Sequence, residues 1–453
     1  MLSTPLLQLS PDILIEIGSY LDSEDLLHLI KTCKRLHLVF ENKAVWLRLC
    51  RRIEGLVTID VPEKADYKRL YLRWKKKGYI YTWGEKSWNR LGRLVSHTHF
   101  PHHKPIALTG SYSVKAVQIE VGGYGIFLLN EDGRLSITGK RTNSISQVVS
   151  ELDFVYSIHA GRDYCLAMAD EGNLWQVGVN STLCLTKDNV LSDYKGRFTI
   201  FRSGWDSLSV FVPQVGFLLW KTGMELEPMV YKIYRGQEMV NVSDYVLCAG
   251  FLVFTTKNES LVFRVDLDGN YEKQAKELKN FRIPEESGPW KLFGNFRTFS
   301  CLSKNGNTVY MGNDSTKESD AKPIVHEFLQ NNGINKLAHG DYHHLMLKQD
   351  GTVWSWGMEL SNCGSLGLGT LYNQIGDDVL IDVRGRRVTV LKPQRVSLNA
   401  TCISIAAGGW QSAMMAISDK ILPDAMEPAR MTSLSLTHPS VPVLHFLRSR
   451  RTD

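Results

Sequence analysis

Two groups of histidines have the residue type and spacing that come nearest to a metal or acid–base site. The first group occupies one short stretch: His97, His99, His102 and His103. Zinc needs three or four ligands in a fixed arrangement, commonly with cysteine among them. Pro101 interrupts this stretch and no cysteine lies nearby, so we predict a solvated loop. The second group, His343 and His344, lies in a repeated strand pattern, where we expect the imidazoles to make hydrogen bonds.

One glycine-rich stretch is a candidate for phosphate binding, and it contains Gly364, Gly367 and Gly369. A phosphate-binding loop places its glycines between a strand and a helix, with a lysine, serine or threonine at a fixed position. These glycines instead follow a strand that ends in Trp356-Gly357, and they belong to a repeat. No Ser/His/Asp or Cys/His/Asn set and no distinctive carboxylate pair can be assembled. We therefore predict no catalytic residue, no metal and no cofactor.

The composition is that of an ordinary folded protein. The 453 residues are 43% hydrophobic and 22% charged, with a net charge of +6. Basic residues cluster only at Lys75–Lys77 and Arg448–Arg451, so nucleic acid is an unlikely partner. The eight cysteines are scattered without a C-x-x-C pair, as in an intracellular protein of the cytoplasm, the nucleus or both. We find neither a signal peptide nor an apolar stretch of membrane-spanning length.

The N-terminal residues have helical periodicity. Ser10, Pro11 and Asp12 are typical of a helix start, and apolar residues then follow at helical spacing. A second helix start at Asp22–Asp25 precedes another apolar stripe. Residues 9 to 50 are too few to bury so many large side chains by themselves, so we expect some of them to face a partner.

This segment resembles the F-box family. The resemblance rests on Leu9–Leu14, Ile17, Tyr20-Leu21, Asp25–Leu27, Cys33-Lys34, Leu36 and Trp46. Leu36 stands where the family usually has an aromatic residue, and Gly18 interrupts the first helix. The family's module docks on the Skp adaptor of a Skp–cullin–F-box ubiquitin ligase. The resemblance implies these adaptor-binding residues: Leu9, Pro11, Ile13, Leu14, Ile17, Leu21 and Leu26.

The rest of the chain repeats. The clearest copy runs from Lys336 to Gly357, with a glycine turn, an alternating apolar strand, a hairpin turn at Asp350-Gly351 and a second strand. The pattern recurs at six further places, of which the third and fourth copies are weak: Gly122, Gly161, Ser203, Cys248, Lys291 and Ala406. A period of about 40 to 47 residues with several short strands predicts propeller blades.

The two ends of the repeat region complete each other. The last copy stops after its first strand, near Ser418, and its missing strand appears at the other end as Tyr79–Gly84. One blade built from both ends would close the ring. The predicted fold is therefore a small all-α F-box head followed by an all-β propeller of seven blades.

The repeats resemble those of the regulator of chromosome condensation family over about residues 79 to 418. The resemblance is carried by Val353–Gly357 with Cys363–Gly369, and by Trp83-Gly84 with Leu91-Gly92. With its head, the chain resembles fungal F-box proteins that carry such repeats. We predict an F-box at 1–55, a helical linker at 56–78 that contains a helix from Tyr67 to Trp74, the propeller at 79–418 and a largely disordered tail at 419–453.

Together, the resemblances imply a non-catalytic substrate-recognition subunit of a ubiquitin ligase. The head would bind the Skp adaptor, and the propeller would bind a target protein for ubiquitination and degradation. The alternatives are a guanine-nucleotide exchange factor, by analogy with the repeat family, and a chromatin-binding propeller. The polar stretches 180–198, 224–240, 313–330 and 359–395 are expected to be loops between strands. The last, which contains the charged run Asp377–Arg387, is expected to be a surface insertion, and a partner-binding role for it stays open.

Overall fold

The computed structural model describes residues 5–50, 67–75, 77–92, 102–108, 115–139, 147–152, 154–169, 172–178, 181–187, 191–221, 229–231, 234–235, 238–239, 241–257, 261–267, 275–282, 290–360, 363–370, 378–381 and 387–417. The chain divides into two compact units, Met1–Asp419 and Lys420–Asp453, and the described residues all belong to the first. His97, His99 and the predicted tail lie outside the described residues. Within the described ranges, no helix is both long and apolar enough to cross a membrane.

Helices form the N-terminal head. They are α1 (Pro11–Gly18), α2 (Ser23–Ile30), α3 (Lys34–Phe40), α4 (Lys43–Cys50) and α5 (Tyr67–Trp74). Ser10 Oγ accepts a hydrogen bond from the Ile13 N–H at 3.4 Å, so the predicted cap of α1 is confirmed. A Cβ added at Gly18 would lie 2.7 Å from the Phe40 ring. This glycine lowers helix propensity, and it lets α3 approach α1 closely.

Seven antiparallel sheets form the blades of a propeller. Blades 1 to 3 contain, in order, β3 (Ala116–Val121), β4 (Ile126–Asn130), β5 (Leu135–Ile137) and β6 (Gln147–Val148); β7 (Val155–Ala160), β8 (Tyr164–Ala169), β9 (Leu174–Gly178) and β10 (Thr182–Cys184); and β11 (Ile200–Ser203), β12 (Ser207–Val212), β13 (Gly216–Lys221) and β14 (Met229–Tyr231). The short hairpin β15 (Tyr234–Arg235) and β16 (Glu238–Met239) follows blade 3.

Blades 4 to 6 contain β17 (Val242–Cys248), β18 (Phe251–Thr256), β19 (Val262–Asp266) and β20 (Lys276–Glu277); β21 (Lys291–Asn295), β22 (Thr298–Leu302) and β23 (Val309–Asn313); and β24 (Ile334–His339), β25 (His343–Lys348), β26 (Val353–Leu360), β27 (Val379–Ile381) and β28 (Arg387–Arg395). In blades 1 to 5 the first strand lies at the centre of the ring and the later ones lie progressively further out, whereas in blade 6 β28 lies between β26 and β27. The second strands β4, β12 and β18 are buried at every position, and their apolar side chains pack between neighbouring blades.

The seventh blade joins the two ends of the propeller. It consists of β29 (Thr401–Gly408), β30 (Gln411–Ile417), β1 (Tyr79–Gly84) and β2 (His102–Ala107), in the order β2-β1-β30-β29. β1 pairs with β30 along its full length, from Tyr79 opposite Ala416 to Gly84 opposite Gln411. The ring closure predicted from the split repeat is thus confirmed.

Trp83 anchors the closing strand to blade 6. Its side chain has no exposed surface, and its Nε1 donates a hydrogen bond to the Ser365 carbonyl oxygen at 3.0 Å. Gly367 packs against the same indole, because a Cβ there would lie 2.6 Å from Trp83 Nε1. The glycine-rich stretch therefore has a packing role in the ring.

The expectation that the four polar stretches are loops is wrong in part. β10 lies within 180–198, β14 with the hairpin within 224–240, and β27 and β28 within 359–395. β28 pairs with β26 and so belongs to blade 6. β10, β14 and β27 have three residues each, too few to show an alternating apolar pattern. β28 has nine residues and pairs on both edges, but Lys392, Pro393 and Gln394 interrupt its apolar pattern.

We expect Trp83→Ala to lower the free energy of unfolding of the propeller by about 3–5 kcal/mol, the usual loss for a large core aromatic. Denaturant unfolding followed by circular dichroism measures this. The matched control is Trp88→Ala, since Trp88 is 51% exposed and its removal leaves no cavity. Equal losses in both variants would contradict the anchoring role.

Candidate functional site

One stripe of apolar side chains on α1 faces outward from the head. Ile13 is 49% exposed and Tyr20, just after the helix, is 69% exposed. Ile17 is half-buried between them. Residues at i, i+4 and i+7 share one side of a helix. We call Ile13, Ile17 and Tyr20 the α1 stripe, and it is the kind of surface that a docking partner covers.

The structure places the residues predicted to bind an adaptor in different environments. Two are exposed, three are half-buried and two are fully buried: Pro11 and Ile13; Leu9, Ile17 and Leu21; Leu14 and Leu26. Leu14 and Leu26 belong to the core of the head. They support the α1 stripe from beneath, because they lie on the inward sides of their helices.

Two exposed apolar residues of the head were not predicted as site residues. Tyr20 follows Ile13 by seven positions, so helical spacing could have found it. Leu38 on α3 is also exposed, although Leu36 and Val39 of the same helix are buried. A stripe predicted from apolar residues alone does not distinguish the inner side of so small a module from its outer side.

A chain of aromatic contacts joins the head to the propeller. The Trp46 ring meets Tyr71 of α5 edge-on, with centroids 5.9 Å apart, and Trp74 of α5 stacks on Phe154 beside blade 2 at 5.6 Å. Trp74 Nε1 donates to the Glu131 carbonyl oxygen at 3.0 Å. Head and propeller residues accordingly share one hydrophobic core, so α5 holds the two parts in a defined relation.

The inner strands of the blades enclose a central cavity of about 470 Å³. Polar side chains inside it bond to the neighbouring blade: Gln118 Nε2 to the Ile158 carbonyl at 2.6 Å, Ser203 Oγ to the His159 carbonyl at 2.6 Å, Arg202 Nη2 to Asp244 Oδ1 at 2.6 Å, and Asn295 Nδ2 to the His339 carbonyl at 2.9 Å. These hydrogen bonds between polar groups of adjacent blades help to hold the ring together.

Aromatic side chains gather at one mouth of the channel. We call the set Trp88, Tyr124, Trp205, Phe296, Tyr342 and Trp410 the aromatic face. Trp88 lies between β1 and β2, and the others lie in turns that follow inner strands. Ring centroids are 4.5 Å apart for Trp205 and Phe296, 6.1 Å for Phe296 and Tyr342, and 5.3 Å for Tyr342 and Trp410.

Two arginines lie against the remaining rings of the aromatic face, on the other side of the mouth. The Arg90 guanidinium lies 4.9 Å from the Trp88 centroid and 4.8 Å from that of Tyr124. Arg162 lies 5.2 Å from both Tyr124 and Trp205. Cations over ring faces are attracted by the ring quadrupole. The result is an alternating series of rings and guanidinium groups.

Asp341, next to Tyr342, is one of three charged side chains at this mouth with a buried atom that has no hydrogen-bond partner among the described residues, together with Arg90 and Arg162. Its Oδ1 is buried and accepts no hydrogen bond from the described residues. Burial raises the pKa of this carboxyl to about 6, against the opposing charges of Arg90 and Arg162. Arg90 is buried too, and its Nε has no acceptor among the described residues. The aromatic face thus contains desolvated charges of both signs.

The head and the aromatic face lie on opposite sides of the ring. Tyr124 follows β3, whereas Glu131 follows β4, so the two turns lie at opposite ends of β4. Trp74 and Lys77 both contact Glu131. A partner on the head and a partner on the aromatic face would therefore be separated by the thickness of the propeller.

The described histidines among those singled out in the sequence lie within strands of the propeller. In β25, His343 is buried and His344 is half-buried, and desolvation lowers their pKa values to about 3 and about 4. His343 Nε2 is 2.7 Å from Ser412 Oγ. His103 lies in β2, where the sequence had predicted a loop. The described part of the chain contains no group of three residues placed to hold a metal ion.

Comparison with known proteins supports the resemblances of both the head and the repeats. The F-box-like family matches residues 8–52, and the regulator of chromosome condensation (RCC1) repeat matches residues 77–129. "F-box protein pof9" of Schizosaccharomyces pombe is 45% identical over 100% of this chain and 98% of its own length. "SCF-associated factor 1" of Saccharomyces cerevisiae is 23% identical over 59% of this chain and 43% of its own length.

Solved structures show the same propeller fold. Prp20p of Saccharomyces cerevisiae matches with a TM-score of 0.57 and 14% identity, over 76% of this chain and 93% of that one. Human WBSCR16 matches with a TM-score of 0.53 and 14% identity, over 76% and 100%. Identities this low establish likeness of fold alone.

We expect Asp341→Asn to stabilise the propeller at pH 7.5 and not at pH 4. The carboxyl binds its proton more tightly in the folded state, with a pKa of about 6 against 3.8. Its contribution to stability is therefore full below pH 3.8 and is lost as the pH rises through about 6. The gain at pH 7.5 is about 1–3 kcal/mol.

Thermal unfolding of both proteins at the two pH values measures this gain. Asp163→Asn is the matched control, because that carboxylate lies on the same side of the ring and is exposed. A stability difference between Asp341→Asn and the native chain that does not change with pH would contradict the assignment.

Proposed function

The chain belongs to the F-box proteins with regulator of chromosome condensation repeats, and from this premise we propose that it is the substrate-recognition subunit of a Skp–cullin–F-box ubiquitin ligase. The observation that carries the proposal is the α1 stripe, exposed on a head that packs rigidly against a propeller. The head would bind the Skp adaptor, and the propeller would hold a target protein for ubiquitination and degradation.

We place the adaptor contact on the α1 stripe, with Pro11, Leu9 and Leu21 at its border. Leu14 and Leu26 have no exposed surface, so in this proposal they shape the contact without making it. Apolar burial of about 25 cal/mol per Å² would supply the affinity.

The proposed role needs no catalytic residue in this chain, since the chemistry would take place on other subunits. The contribution here would be to fix a target near a charged conjugating enzyme, which raises its effective concentration. The aromatic contacts from Trp46 through Tyr71 and Trp74 to Phe154 support this role, because they limit the motion of one binding surface relative to the other. Such a ligase subunit would act in the cytoplasm, the nucleus or both.

Prp20p, which shares the propeller fold, is characterised by its binding to Gsp1p and histones, and this is the basis for nucleotide exchange or chromatin binding as the alternative. Neither activity requires the head. Loss of function on changing the α1 stripe therefore separates the ligase proposal from both alternatives.

We expect Ile13→Asp to reduce co-purification of the chain with the Skp adaptor at least about tenfold, because it places a charge in an apolar contact. The variant should fold normally, since Ile13 is 49% exposed. Leu14→Asp is unsuitable for this test because it would disrupt the core of the head.

Ile324→Asp is the matched control, since Ile324 is 42% exposed and lies on the propeller. It should retain the adaptor fully. Failure of the native chain to bind the adaptor, or equal binding by Ile13→Asp, would overturn the proposal and direct attention to exchange assays on small GTPases.

A further inference from the structure

One loop of blade 6 bonds to most of blade 7, and we call its residues 363–369 the seam loop. The Ser365 carbonyl oxygen accepts hydrogen bonds from Trp83 Nε1 and from Ser412 Oγ, both at 3.0 Å. Trp83 lies on β1 and Ser412 on β30, so a single carbonyl group holds both strands that close the ring. Gly369 N adds a bond of 2.8 Å to the His103 carbonyl oxygen of β2.

Glu359 of β26 supports the seam loop from within blade 6. Its Oε2 accepts a hydrogen bond from Leu366 N at 3.3 Å. Leu366 packs on Val388 and Val390 of β28, and Val388 lies opposite Glu359 where β26 pairs with β28. The carboxyl therefore lies on the face of blade 6 that the seam loop covers, and only 1% of the residue is exposed.

The second oxygen of this carboxyl has no partner. Glu359 Oε1 is buried and makes no hydrogen bond with the described residues. A buried carboxylate that lacks donors is costly, whereas the protonated carboxyl is neutral. Burial raises the pKa of Glu359 to about 7, and the backbone N–H groups of the seam loop lower it only in part. Both protonation states are therefore populated near neutral pH.

No neighbouring charge sets this pKa, which reflects burial and the backbone of the seam loop. The Cys363 thiol of the loop is uncharged in this range, because burial raises its pKa to about 11. On β28 the side chains on the covered face are apolar, and its basic residues Arg387 and Lys392 are exposed. The ionisable groups on the side of blade 7 are Glu85 and Arg90 after β1, and His103 and Lys104 on β2.

We propose that protonation of Glu359 controls how firmly the seam loop closes the ring. With the proton bound, the neutral carboxyl stays buried and the loop holds β1 and β30. With the proton lost, the carboxylate gains hydration when the loop lifts away, so the loop opens more often while the rest of the propeller stays folded. This control is independent of the proposed ligase role.

The direction of the pH dependence follows from the two pKa values. The closed loop raises the pKa of Glu359 from 4.5 to about 7, so it binds the proton more tightly than the open loop does. Its stability is therefore full below pH 4.5 and is lost as the pH rises through about 7. Between pH 6 and pH 8.5 the open fraction should rise about tenfold.

Alkylation of Cys363 by iodoacetamide measures this opening, because the thiol belongs to the seam loop and is only 5% exposed. Mass spectrometry follows the labelling of each cysteine in the full chain at pH 6 and pH 8.5, with reagent dilute enough that the loop recloses before the thiol reacts. The native chain is compared with Glu359→Gln at the same pH, so that ionisation of the thiol cancels. We expect the native-to-variant ratio to rise about tenfold between the two pH values.

Two controls accompany this measurement. Glu327→Gln should label like the native chain at both pH values, since Glu327 is exposed and lies between blades 5 and 6. Cys248, which is fully buried in β17 of blade 4, reports unfolding of the whole propeller. The ratio of Cys363 to Cys248 labelling in the native chain should also rise with pH, and this readout needs no variant.

Three results would overturn the proposal. The first is a native-to-variant ratio that does not change with pH. The second is a ratio that falls as the pH rises, which is expected if ionised Glu359 only raises the pKa of Cys363 and leaves the loop closed. The third is an equal rise at Cys248, which would show that the whole propeller unfolds and that the seam loop does not open by itself.

Discussion

The pairing of β1 with β30 is the constraint on which the rest of the structure depends. It brings residues 79–84 against residues 411–416, so a chain of successive blades becomes a closed ring. Closure also covers the edges of β1 and β30, which would be exposed in an open stack of blades. It also fixes what lies on either side of β1: α5 before it, and the connection with Arg90 and Trp88 after it. The head and part of the aromatic face therefore owe their positions to the same strand.

This closure explains how the head and the aromatic face can be held in fixed positions relative to each other. A very short connection joins α5 to β1. Trp74 of α5 stacks on Phe154 and donates a hydrogen bond to the Glu131 carbonyl oxygen. At the other end of β1, in blade 7, Glu85 N donates to the Trp410 carbonyl oxygen at 2.9 Å. A ligase subunit gains from such rigidity because target lysines must reach a distant active site in a narrow range of orientations. A flexible linker would spread the target over a larger volume.

The sequence allowed the head, the repeats and the split blade to be predicted because each rests on local patterns: a cap at Ser10, strands of alternating residues, and glycine turns. The outer strands β10, β14 and β27 were missed because they are short, and the long strand β28 was missed because it is partly polar. The inward positions of Leu14 and Leu26 were missed because periodicity gives a stripe without saying which side faces the core. The aromatic face was missed for a different reason. Its aromatic residues are far apart in sequence and come together only in the closed propeller. An aromatic residue directly after a turn glycine, as in Gly204-Trp205 and Gly409-Trp410, is a pattern from which part of the face could have been predicted.

The charged groups inside the channel and those at its mouth differ in whether they have hydrogen-bond partners. Inside the channel, Arg202 and Asp244 bond to each other and to neighbouring strands, so their burial strengthens the ring. At the mouth, Arg90 Nε and Asp341 Oδ1 are buried and have no hydrogen-bond partner among the described residues. An unmatched buried charge costs folding free energy, and a merely structural turn would be more stable with a neutral residue there. Asp341 faces the opposing charges of Arg90 and Arg162, and these charges offset part of its desolvation. The mouth therefore keeps charged groups at a cost in folding free energy that the hydrogen-bonded pair inside the channel avoids.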